Sequence, residues 1–263
     1  MSARVLITGA AGGIGAAADA ELPRRGAQVV GLDLTPGEDI LECDVRDQRS
    51  VDAAIRSAVD RLGGLDVLIN NAGIGLPQSA GTAPDPDALS VLDVNLVGPW
   101  RVTSAALPAL RESRGRVVNV ASGLAYLSLP YGTAYCMSKR GLTAYSDALR
   151  IEHGDAITVT TVYPGYVKTP IHAASEDQGF GLDGVVPEES LDAAARTLAR
   201  AALGRPVRDL ATTRRGTLSY WFLRHAPRRL VDRGVRAQLK RSARAGRFAS
   251  DGAAAELVAR LRA

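Results

Sequence analysis

Cysteine is nearly absent from this chain of 263 residues; only Cys43 and Cys136 occur. The first falls in an expected strand and the second in an expected helix, so neither a disulfide framework nor a metal site is expected, and both read as buried thiols. Histidine is almost as scarce, with three residues, and an isolated loop histidine such as His172 is more often a surface residue than a base. No uninterrupted apolar run approaches the roughly 20 residues that span a bilayer, and the start MSARVLITGA has no charged stretch leading into a long apolar one. A soluble cytoplasmic protein is therefore expected. Aromatic residues are 5% of the chain and do not interleave regularly with basic ones, so nucleic acid is not an expected partner despite a net charge of +4.

That net charge hides an asymmetry. Residues 205–263 hold 15 Lys/Arg against 4 Asp/Glu, a balance of +11, while residues 1–204 hold 17 against 24, or −7. With 46% hydrophobic and 23% charged residues, the chain is long and apolar enough to bury a sizeable core as one domain.

Short apolar runs alternate with helix-periodic stretches. Strands are expected over residues 4–8, 28–34, 40–43, 65–70, 116–121, 157–163 and 207–211. Helices are expected over 14–25, 51–62 with Ser50 or Asp47 as cap, 87–110 with a kink at Pro99, 134–152 and 191–203. Repeated strand and helix units imply right-handed crossovers and a parallel sheet. The fold class is therefore α/β, a single-domain Rossmann-type doubly wound parallel sheet flanked by helices, with a helical basic C-terminal extension.

Between the first strand and the first helix lies TGAAGGIG, residues 8–15. Glycines there permit a tight turn and let backbone amides at a helix start approach a pyrophosphate; Gly9, Gly13, Ile14 and Gly15 are the candidate contacts. Asp33 follows about twenty residues later, at the end of the second strand, where an acid would accept hydrogen bonds from the adenosine ribose and repel a 2′-phosphate. NAD is thus expected in preference to NADP.

Tyr135 and Lys139 are four residues apart in AYCMSKRGLTAY, on one face of a helix. An ammonium beside a phenol would lower the phenol's pKa and make it usable as a general acid/base. Such a pair alone also arises by chance on solvated helix faces. Ser122, ending the run GRVVNVAS, would hold its hydroxyl near the start of that helix and steady a substrate oxygen.

With Ser122 at this distance and the glycine turn at the N-terminus, the chain resembles the short-chain dehydrogenase/reductase family. The match runs from Val5 to about Thr169. It includes NNAG at residues 70–73, VNLVG around Asn95, and PGYVKT at residues 164–169. The resemblance implies hydride transfer between NAD(H) and a secondary alcohol or ketone. By it, Asn95, Ser122, Tyr135 and Lys139 would be catalytic, Asn95 holding a relay water through its backbone carbonyl. Asp44, Val45, Asn71, Ala72, Gly73, Pro164, Gly165, Val167 and Thr169, with Tyr135 and Lys139, would join the glycine turn and Asp33 around the cofactor. No metal is implied, and a homodimer or homotetramer is. A nucleotide-sugar epimerase or dehydratase, or a cofactor-binding protein that has lost its chemistry, are the alternatives.

Candidate pocket residues Leu124, Tyr126, Leu127, Tyr166 and Phe180 suggest a hydrophobic substrate, and residues 171–187, rich in Gly179, Gly181 and Gly184 beside Leu182, read as a lid. The resemblance fails at the C-terminus. Residues 1–216 are expected to form the dinucleotide-binding and catalytic domain, and residues 217–263 a helical extension packed on it and broken into two helices by Pro227. The extension is expected first as a flap over the substrate mouth through Tyr220-Trp221-Phe222, then as a basic membrane-surface contact, then as a subunit contact.

Overall fold

A computed structural model describes residues 2–177, 188–246, 255 and 258–260. Seven parallel strands form one sheet in the order β3-β2-β1-β4-β5-β6-β7. They are β1 (Arg4–Thr8), β2 (Gln28–Asp33), β3 (Ile40–Glu42), β4 (Val67–Asn70), β5 (Arg116–Val120), β6 (Thr158–Tyr163) and β7 (Asp209–Ala211). Successive strand residues face opposite sides, and β1 shows both. Leu6 joins a core with α2 (Gln48–Leu62), α4 (Gly98–Glu112) and α5 (Thr133–His153), whereas Val5 and Ile7 join one with α1 (Gly13–Arg24) and α7 (Leu191–Leu203). Being covered on both faces is why these strands read as apolar runs rather than alternating ones.

Helix α2 shows how local sequence fixes an element. Val51, Ala54, Ile55 and Ala58 make its buried stripe, Asp47 caps it by accepting from the Arg49 amide at 3.0 Å, and Gly63 ends it at φ 68°. Ser50, the other candidate cap, instead accepts from the Asp44 amide at 3.0 Å.

The expected continuous helix over 87–110 is three pieces: α3 (Pro86–Leu92), a π turn (Asp93–Val97) and α4. The distortion is thus not a kink at Pro99. Proline lies in the first turn of α4, where its missing amide costs nothing, and the wide turn before it carries Asn95. The expected lid begins with a 3-10 turn (Pro170–His172) and α6 (Ala173–Asp177). Residues 178–187, with Gly179, Phe180, Gly181, Leu182 and Gly184, lie outside the described residues.

Beyond β7 the chain forms α8 (Arg214–His225) and α9 (Arg228–Arg244), separated at Ala226-Pro227. Asp147 on α5 anchors this extension. Its carboxylate accepts from Arg150 at 2.6 Å, Arg208 at 2.7 Å and Arg224 of α8 at 2.6 Å, and Arg224 also lies 3.5 Å from Asp209. Tyr220 and Leu223 pack beside Tyr126 and Tyr163, and Arg228 donates to the Tyr126 carbonyl at 2.9 Å.

Asp147→Ala would leave three guanidinium groups without this acceptor. Because the cluster is partly exposed and screened, the loss should be about 1–3 kcal/mol rather than that of a buried pair. Denaturant titration should show the lower midpoint, and limited proteolysis should cut first within residues 214–246; an unchanged midpoint and cleavage pattern would remove Asp147 as the anchor.

Candidate active site

The glycine turn is shaped by contacts no other residue would allow. Gly9 has φ 71° and Gly13 φ 53°, both left-handed. A Cβ at Gly15 would stand 1.8 Å from the Gly9 carbonyl oxygen, and one at Gly9 would stand 2.8 Å from the Ala72 Cα. The turn therefore packs directly on the segment after β4. Thr8 locks the two: its hydroxyl accepts from the Asn71 and Ala72 amides, both at 3.0 Å, while the Asn71 side chain donates to the Thr8 carbonyl at 3.0 Å.

Helix α1 is preceded at its cap position by Gly12, which has no side chain to cap it, and its first turn contains no acid. Space beside Gly12 is open, since an added Cβ would meet nothing within 4 Å. Uncapped amides at a helix start facing free space suit an anion such as a pyrophosphate. Ile14 packs partly buried in the α1/α7 core.

Asp33, at the tip of β2, leans over this turn and accepts from the Ala11 amide at 2.9 Å and the Thr35 amide at 3.2 Å. Asp44 is held by Arg46 at 2.7 Å, and the guanidinium keeps its carboxyl below the usual carboxylate range. Val45 is buried against Gly98.

The four proposed reacting residues converge past the carboxyl ends of β4 and β5. Ser122, just after β5, accepts from the Leu124 amide at 3.2 Å and lies near enough to the Tyr135 phenol to favour its ionised form. Lys139 is 4% exposed, donates to the Val120 carbonyl at 3.0 Å and lies 5.6 Å from the centre of the Tyr135 ring. Asn95 is fully buried; its amide oxygen accepts from the Ile74 amide at 2.8 Å and its nitrogen donates to the Ile74 carbonyl at 2.9 Å and the Ser138 hydroxyl at 3.3 Å. With its side chain so committed, only its backbone is left to meet a ligand. Gly73 makes room for this group: a Cβ there would lie 3.2 Å from the Asn95 amide oxygen and 3.5 Å from the Lys139 ammonium nitrogen.

The electrostatics differ from the expectation that Lys139 lowers the Tyr135 pKa. Burial pushes the phenol up to about 12, opposed by the Ser122 hydrogen bond. Burial also pushes the Lys139 ammonium down to about 8. Loss of hydration penalises the charged form of each group and is the largest cause of both shifts.

On the far side, Pro164 and Val167 are buried, and the Thr169 methyl group would sit 3.5 Å from a Cβ at Gly13, so the segment after β6 meets the glycine turn. Glu189 was not foreseen here; its carboxylate accepts from the Gly165 amide at 2.9 Å, and its own amide donates to the Tyr166 carbonyl at 2.7 Å. Thr8, Ser138 and Glu189 carry no local sequence signal for these contacts. Of the expected pocket walls, Leu124 and Leu127 are half-buried. Tyr126 is buried with its hydroxyl 3.1 Å from that of Tyr163, and the Tyr166 ring lies against that of His172, centroids 4.9 Å apart and tilted by 57°.

The aromatic trio of the extension splits. Tyr220 turns inward onto Gly123, where an added Cβ would stand 2.6 Å from its hydroxyl, whereas Trp221 and Phe222 are 60% and 61% exposed. Of the trio expected to form a flap, Tyr220 alone turns inward.

The buried lysine has a pH signature. Folded, Lys139 is cationic only below about 8, while its ordinary value is 10.5. Between these values the unfolded chain binds more protons, so the cost of burying the ammonium is full below pH 8 and fades as the pH rises toward 10.5. Lys139→Met should therefore raise stability at pH 7 by about 1–3 kcal/mol and lose that gain by pH 10.5. Melting curves from pH 7 to 10.5 would check this, and a pH-independent difference would contradict it.

The chain is similar to known proteins. The family described as short chain dehydrogenase matches residues 3–179. Oxidoreductase UcpA of Escherichia coli K12 is 32% identical over 219 residues, covering 77% of this chain and 82% of that one. Human retinol dehydrogenase 16 is 40% identical over 187 residues, 64% of this chain but 57% of that longer protein. Among solved structures, a short chain dehydrogenase from Burkholderia cenocepacia in complex with NADP is 25% identical with a TM-score of 0.74, over 88% of this chain and 97% of that one. A 3-ketoacyl-(acyl-carrier-protein) reductase from Brucella melitensis complexed with NADH is 26% identical with a TM-score of 0.69, over 79% and 94%.

Proposed function

We propose, for a chain that belongs to the short-chain dehydrogenase family, that it transfers a hydride between NAD(H) and a secondary alcohol or ketone on a hydrophobic body, with Tyr135 as general acid/base. As a member it is an oxidoreductase acting on CH–OH groups. The observation that carries the finer reading is the buried Lys139 ammonium 5.6 Å from the centre of the Tyr135 ring, with Ser122 acting on the same phenol.

The cofactor, when bound, supplies or accepts the hydride at its nicotinamide. Gly9, Gly13, Ile14 and Gly15 would hold its pyrophosphate, Asp33 its adenosine ribose, and Asp44, Val45, Asn71, Ala72 and Gly73 the middle of the cleft. Pro164, Gly165, Val167 and Thr169 would bound the nicotinamide end, and Lys139 its ribose. The residues fit that group, because an added Cβ at Gly12 would meet nothing within 4 Å at the α1 start and the missing side chain of Gly73 lets the backbone after β4 lie close to Asn95 and Lys139.

In the direction of reduction, Ser122 donates to the carbonyl oxygen and Tyr135 gives that oxygen its proton. A phenol held at about 12 keeps its proton at neutral pH, the state needed for donation. In the direction of oxidation the phenol must ionise, and Lys139, in reach of the ring, compensates the charge. Asn95 holds the relay through its backbone, its side chain being spent on Ile74 and Ser138. Residues 1–216 form the catalytic unit and the extension closes one side of it; a homodimer or homotetramer is the assembly. Retinol dehydrogenase and ketoacyl reductase among the related proteins favour a hydrophobic substrate.

Tyr135→Phe removes only the proton-carrying oxygen and should cut turnover by about 10²–10⁴-fold while leaving NADH affinity nearly unchanged. Lys139→Ala should lose both. A Phe variant with more than about a tenth of wild-type turnover would exclude Tyr135 as acid/base, and turnover without net oxidation or reduction of the nicotinamide would favour an epimerase.

NADH should bind at least about tenfold more tightly than NADPH, because a 2′-phosphate would be brought against the Asp33 carboxylate. Fluorescence titration of both cofactors, repeated on Asp33→Ser, should show the gap close in the variant; tighter NADPH binding by the wild type would overturn the assignment.

A further inference from the structure

We propose that the outward face of α8, with the cations of α9, is a docking surface for an anionic lipid bilayer. Helix α8 has two apolar faces. The inner one presents Tyr220 to Gly123 and Leu223 to the cluster around Tyr163, and Arg224 ties it to Asp147. The outer one carries Leu218 at 68%, Trp221 at 60% and Phe222 at 61% exposure, with exposed His225 completing a stripe at i, i+3, i+4 and i+7. A surface helix with a packed inner face would carry polar side chains there, and while single exposed apolar residues are ordinary, three large ones in one stripe are not. Beside the stripe, Leu218 and Trp221 also line an open cavity of about 700 Å³ with Val207 and Leu210.

Charge selects the occupant. Helices α8 and α9 hold nine Arg and one Lys against Asp232 alone. Arg229, Arg233, Arg236, Lys240, Arg241 and Arg244 are exposed. A second copy of the chain meeting this face through the same face would set that positive charge against itself. A surface of anionic headgroups is complementary to it, and the Trp/Phe/Leu stripe suits the boundary between headgroups and acyl chains. The helix lies on such a surface rather than through it: α8 has 12 residues, about 18 Å at helical rise, against the ~30 Å of a hydrocarbon core. Among the described residues no helix is long and apolar enough to cross a membrane. The inner face of α8 touches the residue after Ser122, so docking would bring the site proposed for a hydrophobic alcohol close to the bilayer; only this last link rests on the proposed function.

The full chain should pellet with vesicles of phosphatidylcholine mixed with phosphatidylglycerol, at least tenfold more than with phosphatidylcholine alone, and less as salt is raised. In a Trp100→Phe background, emission from Trp221 should shift to the blue on addition of the anionic vesicles. The pair Trp221→Ala and Phe222→Ala should cut pelleting at least tenfold with NADH binding retained. If that pair misfolds, Arg229→Gln with Arg233→Gln, at exposed positions, should weaken pelleting instead. Failure to pellet with anionic vesicles overturns the proposal, as does equal pelleting by a folded aromatic pair. So does a smaller species on a sizing column for that pair with unchanged pelleting, which would give the stripe to a second copy. Sedimentation needs no turnover, so its failure leaves hydride transfer untouched.

Discussion

The site is organised around an ammonium taken out of water. Lys139 is 4% exposed and gives a hydrogen bond to the carbonyl that ends β5. Burying a cation is costly unless its partners are fixed, and the surrounding polar groups are fixed from several elements at once. The Asn70 amide nitrogen donates to Thr103 at 2.9 Å and to Asn119 at 2.8 Å, and Asn119 donates to Ser146 at 2.8 Å, joining α4, β4, β5 and α5. One residue before Lys139, Ser138 meets Asn95. Helix α5 is thereby set in register against the sheet, which is what holds Tyr135 beside Ser122.

A parallel sheet explains why these residues can be distant in sequence and adjacent in space. All strands run out at the same edge, so the turns after β1, β4, β5 and β6 meet there. Two bare backbone positions make the meeting close: Gly15 against the Gly9 carbonyl, and Gly73 against the Asn95 amide oxygen. Side chains at either would push the first turn from the helix it feeds, or the fourth strand's turn from Asn95.

Strand and helix order, the glycine turn, Asp33 and the two-helix break at Pro227 were legible, because each depends on local pattern. Helix α7 was read with its observed bounds for the same reason, a strong amphipathic period behind a serine cap. The π turn was not legible, since Pro99 gave a local excuse for a distortion that instead places Asn95 against Ile74. Nor was the raised Tyr135 pKa: spacing reveals a neighbouring lysine but not the loss of water around both groups. Glu189 reaches Gly165 across the whole strap between them, a contact set by tertiary closure alone.

The extension lies at the boundary between what is shared and what is particular. The family match ends at residue 179, yet the turn after Ser122 is held from beyond that point, by Tyr220 against Gly123 and Arg228 on the Tyr126 carbonyl, with Arg140 of α5 on the Ala125 carbonyl at 3.0 Å. The turn's geometry is therefore not a property of the shared segment alone. The four residues proposed to react are supplied within residues 3–179, and the turn that follows Ser122 is held by Tyr220 of α8 and Arg228 of α9. Since packing leaves so little room at Gly123, a change in the extension that moves Tyr220 is felt one residue from Ser122. On the proposed reading, this is where two relatives with the same Ser, Tyr, Lys and Asn would come to prefer different substrates.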